Sequence, residues 1–176
     1  MKILAYHAHA QDPLSFLIKA ITRSCYCHGA ILIEGEWRAK VAEHFGIPGE
    51  GHLIIEAIWP KVHARLLGAE QLAYIDVFEV PSFTAEMEAK AIEWLVAQVD
   101  AGIAYDVTDL LRFVPQARAI IGETKNDAYK IHTFCSMLVF NAYRFAGLPL
   151  LNCHDYEFSP DKMAWSPFVT PSPKLA

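Results

Sequence analysis

Apolar and polar positions along this chain fall into short blocks, and the spacing changes from block to block. Residues 2–8 alternate weakly and predict a short strand. After Asp12-Pro13, the apolar positions Leu14, Leu17, Ile18 and Ile21 follow helical spacing. Gly29 to Glu34 is apolar and β-branched, Gly35 marks a turn, and Trp37 to Ala42 reads as a returning strand. Together they predict a hairpin with His28 just before it. The glycine-rich stretch from Phe45 to Gly51 breaks the pattern. Strands follow at His52–Ala57, Val62–Leu67 and Tyr74–Val80, with Trp59-Pro60 interrupting the first two.

The second half is more helical. Thr84 is a plausible N-cap for a helix to about Val99, with Glu86 and Glu88 in its first turn and Ala101-Gly102 ending it. Thr133 to Ala146 is a long apolar segment closed by Gly147, which predicts a buried helix with Thr133 as N-cap. From Ser159 onward the proline-rich tail reads as coil. Strands and helices are grouped rather than alternating, so the expected class is α+β, an antiparallel sheet beside a few helices. No repeat, linker or charge block divides residues 1–176, and a chain of this length buries about 70% of its unfolded surface as one domain.

Composition narrows the function classes. Hydrophobic residues make up 53% and charged residues 20%, which excludes intrinsic disorder. The net charge of -5 argues against a broad nucleic-acid-binding face. The longest uncharged run near the end, Thr133 to Tyr143, is well short of the roughly 20 apolar residues a spanning helix needs. The N-terminus lacks a long apolar signal core, so the expected location is cytoplasmic, with reduced cysteines.

Those cysteines are Cys25, Cys27, Cys135 and Cys153. Cys25, Cys27 and His28 with Cys153 and His154 offer zinc-ligand types, but Cys-x-Cys is tighter than the usual structural spacing. Cys25, Cys27 and Cys153 read more simply as small packed hydrophobes. His7 and His9 alternate on one strand face and read as solvated, while Trp59, Trp94 and Trp165 read as core or groove-lining aromatics. No metal or cofactor is expected.

Cys135 has a different setting. In the first turn of a helix, unpaired N–H groups and the positive dipole end favour thiolate over thiol. A cysteine nucleophile also needs a histidine base and a polar group that orients the imidazole. His28 and Glu56 are suitable, with His52 on the same strand face as a substitute for Glu56. Eight histidines and twenty acids offer many such trios, and a packed core cysteine is the simpler alternative.

Four segments carry a resemblance. They are Cys27-His28-Gly29-Ala30-Ile31-Leu32-Ile33; Leu53-Ile54-Ile55-Glu56-Ala57 with Val62 and Leu66; Gly102-x-x-Tyr105-Asp106; and Phe134-Cys135-Ser136-Met137-Leu138-Val139 with Gly147-Leu148-Pro149. In this order they resemble the circularly permuted NlpC-like, papain-fold cysteine hydrolases, in particular the YiiX-like branch. Cys27 stands where that branch usually has Ser, and Met137 where it usually has Glu.

The resemblance implies a permuted papain-like fold, an antiparallel sheet or half-barrel packed on helices. It implies Cys135 as nucleophile, His28 as general base and Glu56 as the ring-orienting group. The oxyanion would be met by the Cys135 N–H, with Tyr105 as a possible second donor. The expected activity is hydrolysis or transfer at an amide, ester or thioester bond, in a cell-wall-type peptide or an acyl or lipid-like substrate. A peptide- or lipid-binding module without catalysis, on the same fold, is the alternative.

Overall fold

In a computed structural model of the chain, described for residues 1–8, 18–20, 24–106, 132–153 and 157–175, eight strands form one curled, half-barrel sheet. The strands are β1 (Lys2–His7), β2 (Tyr26–Ile33), β3 (Leu53–Ile58), β4 (Lys61–Leu66), β5 (Ile75–Glu79), β6 (Ala104–Tyr105), β7 (His132–Thr133) and β8 (Thr170–Ser172). Their order across the sheet is β7-β6-β4-β3-β2-β1-β5-β8. All neighbours are antiparallel except β6 and β7. Among the described residues, the helices seen from end to end are α1 (Gly35–His44), α2 (Ala85–Asp100), α3 (Cys135–Phe145) and α4 (Pro160–Trp165). The architecture is α+β.

The two-residue period of the strands sorts their side chains into two cores. Ile3, Ala5, Ile31, Ile33, Leu53, Ile55 and Phe78 pack with Ile92 and Leu95 of α2 and Leu138 to Tyr143 of α3. On the opposite face Leu4, Tyr6, Ala30, Leu32, Ile54, Ile75 and Val77 pack with Phe134 and Met137. Double-sided burial explains why β2 and β3 read as nearly continuous apolar runs.

Several expectations change. Trp37 to Ala42 is helical, within α1, and not the second strand of a hairpin. The segment lacks period-2 alternation, buries only Val41 and Ala42, and β2 already has β1 and β3 as partners. Arg38 ties this helix to the following loop by donating to the carbonyls of Gly49 and Gly51. The tail from Ser159 is not all coil. Ser159 and Pro160 open α4, whose Met163 is fully buried, and β8 pairs with β5 at the sheet edge, where Pro171 is tolerated. Thr84 does cap α2, its hydroxyl accepting from the Met87 N–H. Residues 18–20 are helical; the rest of the helix expected from Leu14 to Ile21 lies outside the described residues.

Candidate active site

The chain is led to Cys135 by two very short strands. β6 pairs with β4 through Ala104 and Lys61, and β7 runs parallel beside it, Thr133 opposite Tyr105. The Thr133 carbonyl accepts from the Asp106 N–H, so Thr133 is held as strand. The N-cap is therefore Phe134, one residue later than the spacing predicts, and Cys135 is the first residue of α3. There its sulfur receives the N–H of Ser136, a first-turn group with no intrahelical acceptor.

His28 sits inside β2, not before it, because that strand begins at Tyr26. The ladder places Tyr6 opposite His28 but Tyr26 opposite His7, which leaves Cys27 as an extra residue. Its thiol donates to the Tyr6 carbonyl. Gly29 lies under the α3–α4 layer, and a Cβ there would fall 2.7 Å from the Met163 sulfur. That close approach lets the Gly29 N–H reach the Cys135 sulfur from the strand side.

Glu56 is opposite Ala30 in the β2–β3 ladder, which puts it on the His28 face of the sheet. His28 Nε2 donates to Glu56 Oε2 at 2.7 Å. That leaves Nδ1 for the Cys135 side chain, whose negative charge acts on the ring. Thus Cys135, His28 and Glu56 form one continuous line, although they come from α3, β2 and β3. Tyr105 also interacts with Cys135. His52 ends just before β3; the carboxylate on the His28 ring belongs to Glu56.

The electrostatics follow from burial and from this chain of contacts. Burial opposes charge on His28, but Cys135 and Glu56 outweigh it and raise its pKa to about 10. Burial also resists ionisation of Cys135, yet His28 and the Gly29 and Ser136 N–H groups hold the thiol below its ordinary value. For Glu56, which is 1% exposed, the hydrogen bonds from His28 and His63 and the charge of Arg65 overcome burial. Its carboxyl is held well below the usual range. Tyr105 is pushed up, by burial first and then by Cys135 and Asp106. The arrangement favours a thiolate–imidazolium pair oriented by an ionised carboxylate.

Sequence reasoning missed three neighbours. Arg65 Nε donates to Glu56 Oε1 at 2.6 Å, and His63 Nε2 lies 3.4 Å from the same oxygen. Tyr6 sets its ring edge-on to His28 at 5.1 Å, while its buried hydroxyl has no hydrogen-bond partner among the described residues. The alternation of His63 and Arg65 along β4, opposite Glu56, was the available signal.

The remaining candidates divide. Cys27 is buried and Cys153 half-buried, but Cys25 is exposed, its thiol donating to Asp161 Oδ1, because it precedes the strand and not the core. Among the described residues no three His, Cys, Asp or Glu side chains gather as a metal site, and His154 and His9 lie outside those residues. Trp59 and Trp165 are exposed, Trp59 at the β3–β4 turn and Trp165 at the end of α4. Trp94 is half-buried and stacks on Phe145. Among the described residues no helix is long and apolar enough to cross a membrane.

No family model matches the chain, and no curated protein does. The fold has a solved counterpart. The crystal structure of metalloprotein yiiX from Escherichia coli O157:H7, DUF1105, aligns with a TM-score of 0.64 at 15% identity, covering 99% of this chain and 96% of that one. At that identity the likeness is one of fold, shared over essentially the whole length.

Proposed function

We propose that this protein is a papain-like cysteine hydrolase acting on an amide, ester or thioester bond through a thioester on Cys135. One observation carries the reading: His28 is hydrogen-bonded to the buried Glu56 and acts electrostatically on Cys135, whose sulfur sits at a helix N-terminus. The thiolate attacks the substrate carbonyl carbon, forming a C–S bond, and the carbonyl oxygen takes the electron pair. First-turn N–H groups, with Tyr105 beside them, stabilise that oxyanion. The tetrahedral species collapses, and His28 protonates the departing amine, alcohol or thiol. His28 then takes a proton from water, which attacks the thioester, releases the acid and restores Cys135. Glu56 keeps the imidazole in the required tautomer throughout.

A metal at this place does not fit the residues present. Both Glu56 oxygens are engaged by His28, Arg65 and His63, and the Arg65 cation sits directly on the carboxylate. No step is therefore routed through a metal, although the structural neighbour is called a metalloprotein.

A second reading, a peptide- or lipid-binding module without turnover, draws on the burial of Cys135 and on Met137, which packs into the second core instead of offering a polar group. One experiment separates the two. Iodoacetamide alkylation of Cys135 should titrate clearly below the free-cysteine value of about 8.5. Cys135→Ala should abolish both turnover and labelling by a thiol-reactive acyl probe. A midpoint near 8.5 supports the binding module, and full acyl labelling of Cys135→Ala removes Cys135 from the chemistry.

A further inference from the structure

We infer that Arg65, braced by Gln71, is a positioning residue for Glu56: it fixes one carboxylate oxygen so that the other stays aimed at His28. The inference rests on Cys135, His28 and Glu56 acting as proposed above, and adds what holds the acid in place. In the β3–β4 ladder Glu56 is opposite His63, and Ile54 is opposite Arg65. Opposed residues share a face, so His63 and Arg65 both lie on the side of the sheet that carries His28. Arg65 reaches diagonally along that face to Oε1, while His28 takes Oε2.

The guanidinium is itself anchored. Its Nη1 donates to Gln71 Oε1 at 2.9 Å and to the Leu66 carbonyl at 3.1 Å. Gln71 Oε1 also accepts the Gly68 N–H at 3.3 Å, at the start of the 3-10 turn Ala69–Tyr74. Arg65 therefore spans a fixed turn and a buried carboxylate, and its planar fork allows little sliding. A carboxylate that is 1% exposed needs such a partner. His28 must alternate between neutral and charged forms during turnover, so it is a full counter-ion only part of the time. Arg65 is charged at every relevant pH. His63, at 3.4 Å and with a side chain 32% exposed, is the weaker third contact.

Among the described residues, the titratable and charged groups acting on Glu56 and His28 are Cys135, His63, Arg65 and Tyr6, with Tyr105 acting on Cys135. The test reads Cys135 alkylation by iodoacetamide against pH, with peptide mapping to separate it from Cys25. It also follows the His28 ring by NMR titration and folding by circular dichroism. Arg65→Gln should slow Cys135 alkylation about tenfold at pH 6, as expected when the ion pair weakens by one decade. Arg65→Lys keeps the charge but loses the fork, and should recover part of that loss. Gln71→Ala should slow it about threefold, the scale of one net hydrogen bond.

Folded Arg65→Gln protein with the wild-type alkylation and His28 profiles would overturn the inference. If Arg65→Gln does not fold, Gln71→Ala decides, and an unchanged profile there overturns it equally. Failure of the hydrolase reading looks different. Wild-type Cys135 would then titrate like a free thiol, while the His28 ring titration would still respond to Arg65→Gln if the clamp is real.

Discussion

This sheet carries two histidine–carboxylate pairs with nearly the same separation. His28 Nε2 lies 2.7 Å from Glu56 Oε2, and His7 Nε2 lies 2.8 Å from Asp76 Oδ2. Glu56 is 1% exposed and Asp76 35%, while His28 is 16% exposed and His7 42%. The buried acid is shared with Arg65 and His63, the open one with the hydroxyl of Tyr26. His28 continues to a cysteine at a helix N-terminus; His7 packs its ring at a 45° tilt on Tyr26 at the strand end. Contact distance alone therefore does not make a site. Burial makes charge expensive, and only a pair with further partners stays ionised there.

The largest expected difference between the pairs is in stability. Glu56→Gln strips the counter-charge from Arg65 and from protonated His28 in a nearly dry setting. Breaking a buried pair in this way destabilises by about 3–5 kcal/mol. Asp76→Asn acts on a solvated, screened pair, where the effect is about 0–1 kcal/mol. Urea unfolding of the two variants measures both. Equal losses would mean that the two environments are not as different as their exposure indicates.

The pH dependence of stability sharpens the contrast. His28 is raised from an ordinary 6.5 to about 10. Its contribution is complete below about 6.5 and is lost as pH rises through about 10, because the unfolded chain releases the proton first. Glu56 is shifted the other way, so its contribution is present above its ordinary 4.5 and is lost only as pH falls far below that. Asp76 has the same sign from an ordinary 3.8, lowered against burial by Tyr26 and His7, but solvent screens it. Cys135, lowered from an ordinary 9.0, carries the opposite sign and offsets His28 below about pH 9. The melting temperature should therefore fall only between about pH 9 and 10, and Glu56→Gln should flatten that decline while Asp76→Asn leaves it. A wild-type melting temperature constant to pH 10 would contradict the assignment to His28.

Much of the fold was legible because strand periodicity is local. β1, β3, β4, β5 and α2 lie within a residue or two of where alternation and capping put them. The failures are where tertiary pairing overrides local signals. Thr133 has an N-cap side chain, yet parallel pairing with Tyr105 makes it strand and moves the cap to Phe134. Trp37 to Ala42 looked like a return strand only while β1 and β3 were not known to occupy both edges of β2. For the site, residue types offered Cys135, His28 and Glu56 as one trio among many. The family resemblance singled that trio out and added Tyr105, and the fold brings these four together. Alternation put His63 and Arg65 on one face of β4, but that this face meets Glu56 depends on the register between two strands. Gln71 was not legible, because its role depends on a turn that follows them.

The smallest effect on Cys135 should come from a change in the open pair. Tyr26 Oη donates to Asp76 Oδ2 at 2.8 Å, and its ring packs edge-on against Phe78 at 6.1 Å. Tyr26→Phe keeps that packing and removes one hydrogen bond, worth about 1 kcal/mol. Tyr26 and His28 are only two residues apart on β2, so a coupled pair would transmit the change to Cys135. The extra residue Cys27 separates them: Tyr26 packs in the helix-covered core, and His28 faces the opposite side with Tyr6. Urea unfolding should therefore register the loss while Cys135 alkylation stays at the wild-type rate. A change in Cys135 reactivity in Tyr26→Phe would show that the bulge does not insulate the two histidines, and the comparison would become one coupled site.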